Sequence, residues 1–279
     1  MTDIYSLKQP LSSETESLLV RIANTCAEAE IDFFVAGATA REVVLTHLYE
    51  RKRGRHTRDI DIAIFIKDWH PFSALKQAIL NQGAEEVAGN AHRLIWEKTE
   101  LDIIPFGGVA EGNAIAWPPD RHFIMSVDGF LEAFNHSISI RLSTGEVIRF
   151  CSLPGLLLLK LFAWRDRGGE VSKDAIDIFN ILKEYAVIEE ARLYDNAEWG
   201  ELVGWNPDRL GARLAGSDTA QISSPEIQQA LLSMDRERLK DAITRHTTGS
   251  NTEDIETMID DFWEELTLTG NTEIDKEAL

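Results

Sequence analysis

Asp59-Ile60-Asp61-Ile62-Ala63-Ile64-Phe65-Ile66 alternates strictly, with Ile60, Ile62, Ile64 and Ile66 on one side of an extended chain and Asp59, Asp61, Ala63 and Phe65 on the other. The period of two predicts a strand with one wholly apolar face. The opposite face opens with two carboxylates whose Cβ atoms stand roughly 6–7 Å apart and point the same way. Carboxylates so placed repel unless a cation lies between them. Magnesium is the natural guest, because it takes hard oxygen ligands and completes its shell with water and substrate phosphates. A bare DxD is also a common solvated strand end, so its meaning depends on its surroundings.

Upstream, Ser13 with Glu16 forms a capping box, and Leu18, Leu19, Ile22, Ala23 and Cys26 recur at helical spacing, predicting a helix to about Glu30. Ile31–Ala36 (IDFFVA) reads as a short strand that stops at Gly37, after which Thr39 caps a helix carrying Val43, Val44 and Leu48. A glycine turn into a helix N-terminus offers free backbone N–H groups and a positive dipole end to a triphosphate, and the absent side chain lets phosphates approach the backbone. A simple β-to-α turn has the same sequence. The stretch ERKRGRHTR (50–58) is basic and reads as an exposed loop leading into the DxD strand.

Downstream, Phe72–Gln82 reads as a helix, His92–Glu97 and Glu100–Pro105 as two strands around a turn, and Gly107–Pro119 as a Gly/Pro-punctuated loop. Asp102, inside LDIIPF, is a third acid able to approach Asp59 and Asp61 from a neighbouring strand. Three convergent carboxylates suit two-metal phosphoryl transfer, with one metal lowering the pKa of an attacking hydroxyl, the other steadying pyrophosphate, and Asp102 as the nearest base. The alternation of strands and helices indicates an α/β sheet domain over 1–150. From Leu153 the pattern turns helical, through PGLLLLKLFAWRD, KDAIDIFNILKEY capped by Ser172, Pro225–His246, and DIETMIDDFWEELT capped by Ser250 and Glu253, giving a helical domain over 151–279. In the last of these, Ile255, Met258, Ile259, Phe262 and Leu266 share one side and read as core.

Of the 279 residues 44% are hydrophobic and 27% charged, ordinary for a globular chain. Cys26 and Cys151 stand far apart without ligand spacing, which excludes a disulfide framework or zinc site and fits a reducing cytoplasm. No signal peptide or membrane segment is read: the longest apolar run, Leu156–Trp164, is interrupted by Lys160 and is about half the ~20 residues a bilayer requires. The net charge is −19, and the residues from Glu189 onward hold 21 acids and 8 bases. Such a surface repels duplex DNA. Walker A, GxGxxG, GxSxG and HExxH patterns are absent.

FFVAGATARE (33–42), RHTRDIDIAI (55–64), LDIIPFGG (101–108), and LLLLKLFAWRDR followed by KDAIDI (156–167 and 173–178) together resemble the polymerase-β-like nucleotidyltransferase superfamily, and within it the AbiEii/AbiGii-type toxins. The resemblance covers 33–178. It implies an α+β fold, a mixed sheet flanked by helices followed by a mostly helical C-terminal domain. It also implies an enzyme that moves a nucleoside monophosphate from an NTP to a hydroxyl with Mg²⁺ or Mn²⁺. Asp59, Asp61 and Asp102 become metal ligands; Gly37, Ala38 and Thr39 become the phosphate turn, with Ala38 where the family has a second Gly or Ser. Lys160 matches the family's helical lysine, and Asp174 or Asp177 its later acid. Lys160 is unusual in its own right, since an ammonium inside an apolar run needs either a path to water or an anion. Arg55 faces two readings, a contact to nucleotide or RNA and a solvated loop. The implied acceptor is the 3′ end of tRNA, with protein hydroxyls and small antibiotics, the acceptors of other branches of the fold, as alternatives, and the implied partner is a cognate antitoxin. Trp117-Pro118-Pro119-Asp120 is a stiff loop that the sequence leaves without a role.

Overall fold

The protein is described from a computed structural model that covers residues 3–51, 59–167, 172–247 and 251–277. It divides into two compact units, Met1–Ser152 and Leu153–Leu279. Among the described residues no helix is long and apolar enough to cross a membrane.

The first unit contains strands β1 (Ile4–Ser6), β2 (Asp32–Ala36), β3 (Asp59–Ile66), β4 (Glu85–Glu86), β5 (Arg93–Trp96), β6 (Thr99–Gly107), β7 (Ala114–Ala116), β8 (Ile124–Ser126), β9 (Ile138–Arg141) and β10 (Val147–Phe150). Its helices are α1 (Ser13–Glu28), α2 (Gly37–Glu42), α3 (Trp69–Asn81) and α4 (Phe130–Asn135). A mixed sheet runs β1-β9-β10-β2-β3-β6-β5-β4, and β7 and β8 form a separate antiparallel pair. β3 occupies the interior, antiparallel to β2 and parallel to β6. Its isoleucines Ile60, Ile62, Ile64 and Ile66 are all buried, as the alternation requires. The other face carries an aromatic cluster: Phe65 stacks on Phe134 of α4 at 5.7 Å, and Phe34 meets Phe106 edge-on at 6.0 Å.

Several local expectations are corrected. Ser12, not Ser13, caps α1, accepting from the Thr15 amide at 3.1 Å. Glu16 does not return to the cap; its carboxylate accepts from Ser143 Oγ at 2.7 Å and from the Thr144 amide at 2.9 Å, a tertiary tie that outcompetes the local box. α2 starts at Gly37 with Ala36 as an N-cap that supplies no side-chain bond, so Thr39 lies inside the helix and does not cap it. Val43–Leu48 then continues as a π-helical segment. The expected loop 107–119 contains β7, which pairs with β8 in the register Ala114↔Ser126. Trp117 is a core residue, packed against Trp69, Phe72 and His92 at ring distances of 5.3–5.4 Å. It anchors the Pro-Pro turn, where the Trp117 amide donates to Phe123 O and the Arg121 amide to Trp117 O.

The second unit comprises α5 (Leu153–Asp166), α6 (Ser172–Ile188), α7 (Ala197–Val203), α8 (Pro207–Ile222), α9 (Pro225–Leu232), α10 (Arg236–His246) and α11 (Thr252–Glu277). The expected helix 225–246 breaks at Ser233–Asp235, where Asp235 caps α10 through the Arg238 amide. The expected cap Ser250 lies outside the described residues. α8 is the central packing element, and its glycines explain how: a Cβ on Gly211 would strike Ala186 of α6, and one on Gly216 would strike the Phe262 carbonyl of α11. Ile255, Met258, Ile259, Phe262 and Leu266 are all buried. Between α8 and α11, Arg213 is 2% exposed and pairs with Asp261, Glu264 and Glu265.

Candidate active site

Strand register brings the acids together. β3 and β6 pair in parallel with Asp59 opposite Glu100 and Asp61 opposite Asp102, while β5 pairs antiparallel to β6 with Arg93 opposite Asp102. Residues opposite one another share a face of the sheet. Asp59, Asp61, Glu100, Asp102 and Arg93 therefore stand on one face, at the end where β3 and β6 begin. β2 arrives antiparallel with Ala36 opposite Asp61, which delivers Gly37 to the same place. Gly37 has φ +60°, and a Cβ there would coincide with the Asp61 carboxylate, so only glycine leaves that carboxylate its position.

Thr39 is 5% exposed, and its hydroxyl donates to the backbone oxygen of Asp59 at 2.7 Å. In this arrangement it braces the start of β3 and does not face outward as a phosphate contact; the cause is that the helix begins two residues earlier than its expected cap. Ala38 lies half-buried in the first turn of α2. Arg55 lies outside the described residues.

Asp102 differs from its expected state. It is 7% exposed, and both of its oxygens are held by Arg93, with Nε donating to Oδ1 at 2.7 Å and Nη2 to Oδ2 at 2.6 Å. Nη1 of the same guanidinium reaches Glu100 Oε2 at 2.5 Å. Hydrogen bonding to Asp102, opposed by burial and joined by the charges of Asp102, Glu100 and Asp59, raises the Arg93 pKa further above its ordinary value. Among the described residues no three Asp, Glu, His or Cys side chains are grouped closely enough to hold a metal ion. Register thus sets Asp59, Asp61 and Asp102 on one face, where the antiparallel partner of Asp102 is an arginine that takes both of its oxygens. Half-buried Asp59 and Asp61 on one face, with a space at Gly37 that the Asp61 carboxylate fills, remain a hard-oxygen donor pair that fits a divalent cation. Glu100 is a site residue that the sequence reading misses; its signal is the spacing E-L-D at 100–102, which mirrors D-I-D at 59–61.

Lys160, Asp174 and Asp177 gather within the helical unit. Lys160 Nζ lies 3.1 Å from Asp174 Oδ1 and 2.8 Å from Asp177 Oδ2, and Asp174, fully buried, also pairs with Arg167. Of the two ways to accommodate the ammonium, α5 takes an anion, and that anion is a pair of carboxylates on the neighbouring helix α6. A cavity of about 330 Å³ lined by Lys67, Trp69, Glu111, Ile115 and Arg121 opens where β3 and β6 end. At roughly 3.3 Å per strand residue it lies about 16 Å along the sheet from Asp61, apart from the acids.

No protein-family model matches the chain, and no curated protein does. Among solved structures the chain is similar to the antibiotic-resistance factor ANT(2″)-Ia in solution, at 14% identity over 76% of this chain and 96% of that chain with a TM-score of 0.39. It is similar to a crystal structure of ANT(2″)-Ia in complex with adenylyl-2″-tobramycin, at 14% identity over 72% of this chain and 99% of that chain with a TM-score of 0.40. It is also similar to an antigenic nucleotidyltransferase-like protein from Paracoccidioides brasiliensis, at 18% identity over 62% of this chain and 77% of that chain with a TM-score of 0.40.

Proposed function

We propose that the protein is a divalent-metal-dependent nucleotidyltransferase that moves a nucleoside monophosphate from a nucleoside triphosphate to a hydroxyl group and releases pyrophosphate. The observation that carries this reading is the pairing of Asp61 with Asp102 across parallel strands, beside a positive-φ glycine that opens a helix. Asp59 and Asp61 are the residues that would hold Mg²⁺ or Mn²⁺, which when bound neutralises phosphate charge and lowers the pKa of the attacking hydroxyl. In the transfer, the acceptor oxygen bonds to the α-phosphorus, the bond from that phosphorus to the pyrophosphate oxygen breaks, and the hydroxyl proton passes to a carboxylate. Asp102 is the carboxylate we assign to that proton. We assign the phosphates to the backbone at Gly37 and Ala38, the first residues of α2.

The acceptor class we carry from the sequence resemblance is the 3′ end of tRNA, with a protein hydroxyl or a small hydroxylated molecule as the competing acceptors, and a cognate antitoxin as partner. A second reading, a nucleotide-binding module without turnover, draws on one observation: both oxygens of Asp102 are occupied by Arg93. The test is transfer of label from each of the four α-³²P-NTPs, with Mg²⁺ or Mn²⁺, to total tRNA, a cell lysate and an aminoglycoside, alongside the Asp59→Ala/Asp61→Ala protein. Label that vanishes in the double variant supports the transferase and identifies its acceptor. Nucleotide binding by calorimetry without label on any acceptor supports the second reading.

A further inference from the structure

We infer that Arg93 is a stand-in cation for the metal site, and that it sets metal affinity by exchanging Asp102 for Glu100 as its partner. The inference rests on the reading that Asp59 and Asp61 hold a divalent cation, with Asp102 free to join them once Arg93 releases it, and it concerns what this chain does when that cation is absent.

The Arg93 side chain is placed by register opposite Asp102, so its fork meets the carboxylate edge to edge and takes both oxygens at 2.7 and 2.6 Å. Those oxygens are the ones an incoming cation needs. Asp102 has 10% of its side chain exposed, so its charge requires a partner when no metal is present. Arg93 satisfies that requirement. Were Arg93 bound to Asp102 alone, a metal would have to expel a half-buried guanidinium with nothing to pair with. Glu100 removes that obstacle. It sits two residues before Asp102 on the same face, already touches Nη1 at 2.5 Å, and has 46% of its side chain exposed. The guanidinium therefore rests between two acids and retains one when it yields the other. The consequence is a competition: metal affinity is lowered by the fraction of molecules in which Arg93 holds Asp102.

The test is Mn²⁺ binding to the full chain, read from the electron paramagnetic resonance signal of unbound Mn²⁺, for the parent protein and for Arg93→Gln, Arg93→Lys, Glu100→Gln and Asp61→Asn. Arg93→Gln removes the competitor and should tighten Mn²⁺ binding roughly tenfold. Arg93→Lys, which keeps the charge but loses the fork, should fall between. Glu100→Gln deprives Arg93 of its alternative partner and should weaken binding. A residue with a merely structural role would not tighten binding when removed. If Arg93→Gln fails to fold, the opposed directions of Arg93→Lys and Glu100→Gln decide the matter alone. Unchanged or weaker binding in the arginine variants, with Asp61→Asn still weakening it, overturns the role of Arg93. No effect of Asp61→Asn overturns the metal site itself.

Discussion

The Asp61 carboxylate fills the volume that a Cβ on Gly37 would occupy, so these two residues define one another. Gly37→Ala is therefore expected to act twice: it places an L side chain at φ +60°, at a cost of about 1–2 kcal/mol, and it pushes the Asp61 carboxylate out of position. Gly112 separates the two effects, because it has the same φ and nothing lies within 4 Å of the place its Cβ would take. Gly112→Ala should lower unfolding free energy by the backbone cost alone and leave Mn²⁺ binding intact. Gly37→Ala should lower stability further and weaken Mn²⁺ binding. Equal effects of the two substitutions would show that Asp61 does not depend on Gly37.

The hydroxyl of Thr39 ties the first residues of α2 to the first residue of β3. Thr39→Val keeps the shape and deletes the bond, which leaves the Asp59 carbonyl oxygen without this partner and should cost about 1–2 kcal/mol in denaturant unfolding. Thr39→Ser retains the donor and should stay closer to the parent protein. Because the bond fixes the backbone of a residue assigned to metal binding, Mn²⁺ affinity should fall in the valine variant and not in the serine variant. A valine variant as stable as the parent would show that the bond contributes nothing.

What the sequence discloses depends on how far the deciding interaction lies along the chain. The alternation of Asp59–Ile66 is a local property, and the strand runs over those same eight residues. Asp102 is legible from its strand, since an acid inside LDIIPF on the same pattern must lie beside the DxD once β3 and β6 pair. Its partner is not legible, because which residue faces Asp102 follows from the β5–β6 register, set by a turn at Glu97 and Lys98 whose residues adopt positive φ. Glu16 shows the same limit: a capping-box spacing predicts a local bond, and only the fold reveals that Ser143, 127 residues away, takes it. α8 escapes a sequence reading for a different reason. It packs through glycine and alanine, so its buried side carries few large apolar residues for a periodicity to detect.

The Glu16 tie gives a pH signature. Burial pushes its pKa up, but the Ser143 hydroxyl and the amides of Thr144 and Ser143 pull it down more strongly in sum, so the folded value lies below the ordinary 4.5. A depressed folded pKa contributes stability that is fully present above the unfolded value and is lost as pH falls through the folded one. The stability difference between the parent protein and Glu16→Gln should thus be constant from about pH 7 to pH 5.5, then shrink as the pH drops through and below the ordinary carboxylate value. Urea unfolding measured across that range checks it. A difference that grew on acidification would reverse the sign and refute the assignment.

Asp174 is the fully buried member of a cluster with Lys160, Arg167 and Asp177, and its role there is energetic. Deleting one partner of a buried ion pair strands the others, at a cost of about 3–5 kcal/mol. Asp174→Ala removes the carboxylate that meets both cations and should destabilise the helical unit by that amount. Lys160→Met should cost less, since Asp174 keeps Arg167 and the methionine stem preserves the packing of the apolar run on α5. The double substitution Lys160→Met/Asp174→Ala should recover part of the loss, because the ammonium deprived of Asp174 is no longer present. Denaturant unfolding of the four proteins gives the coupling directly. Strict additivity of the two single effects would mean that Lys160 and Asp174 do not support one another, and that the lysine's charge is satisfied without Asp174.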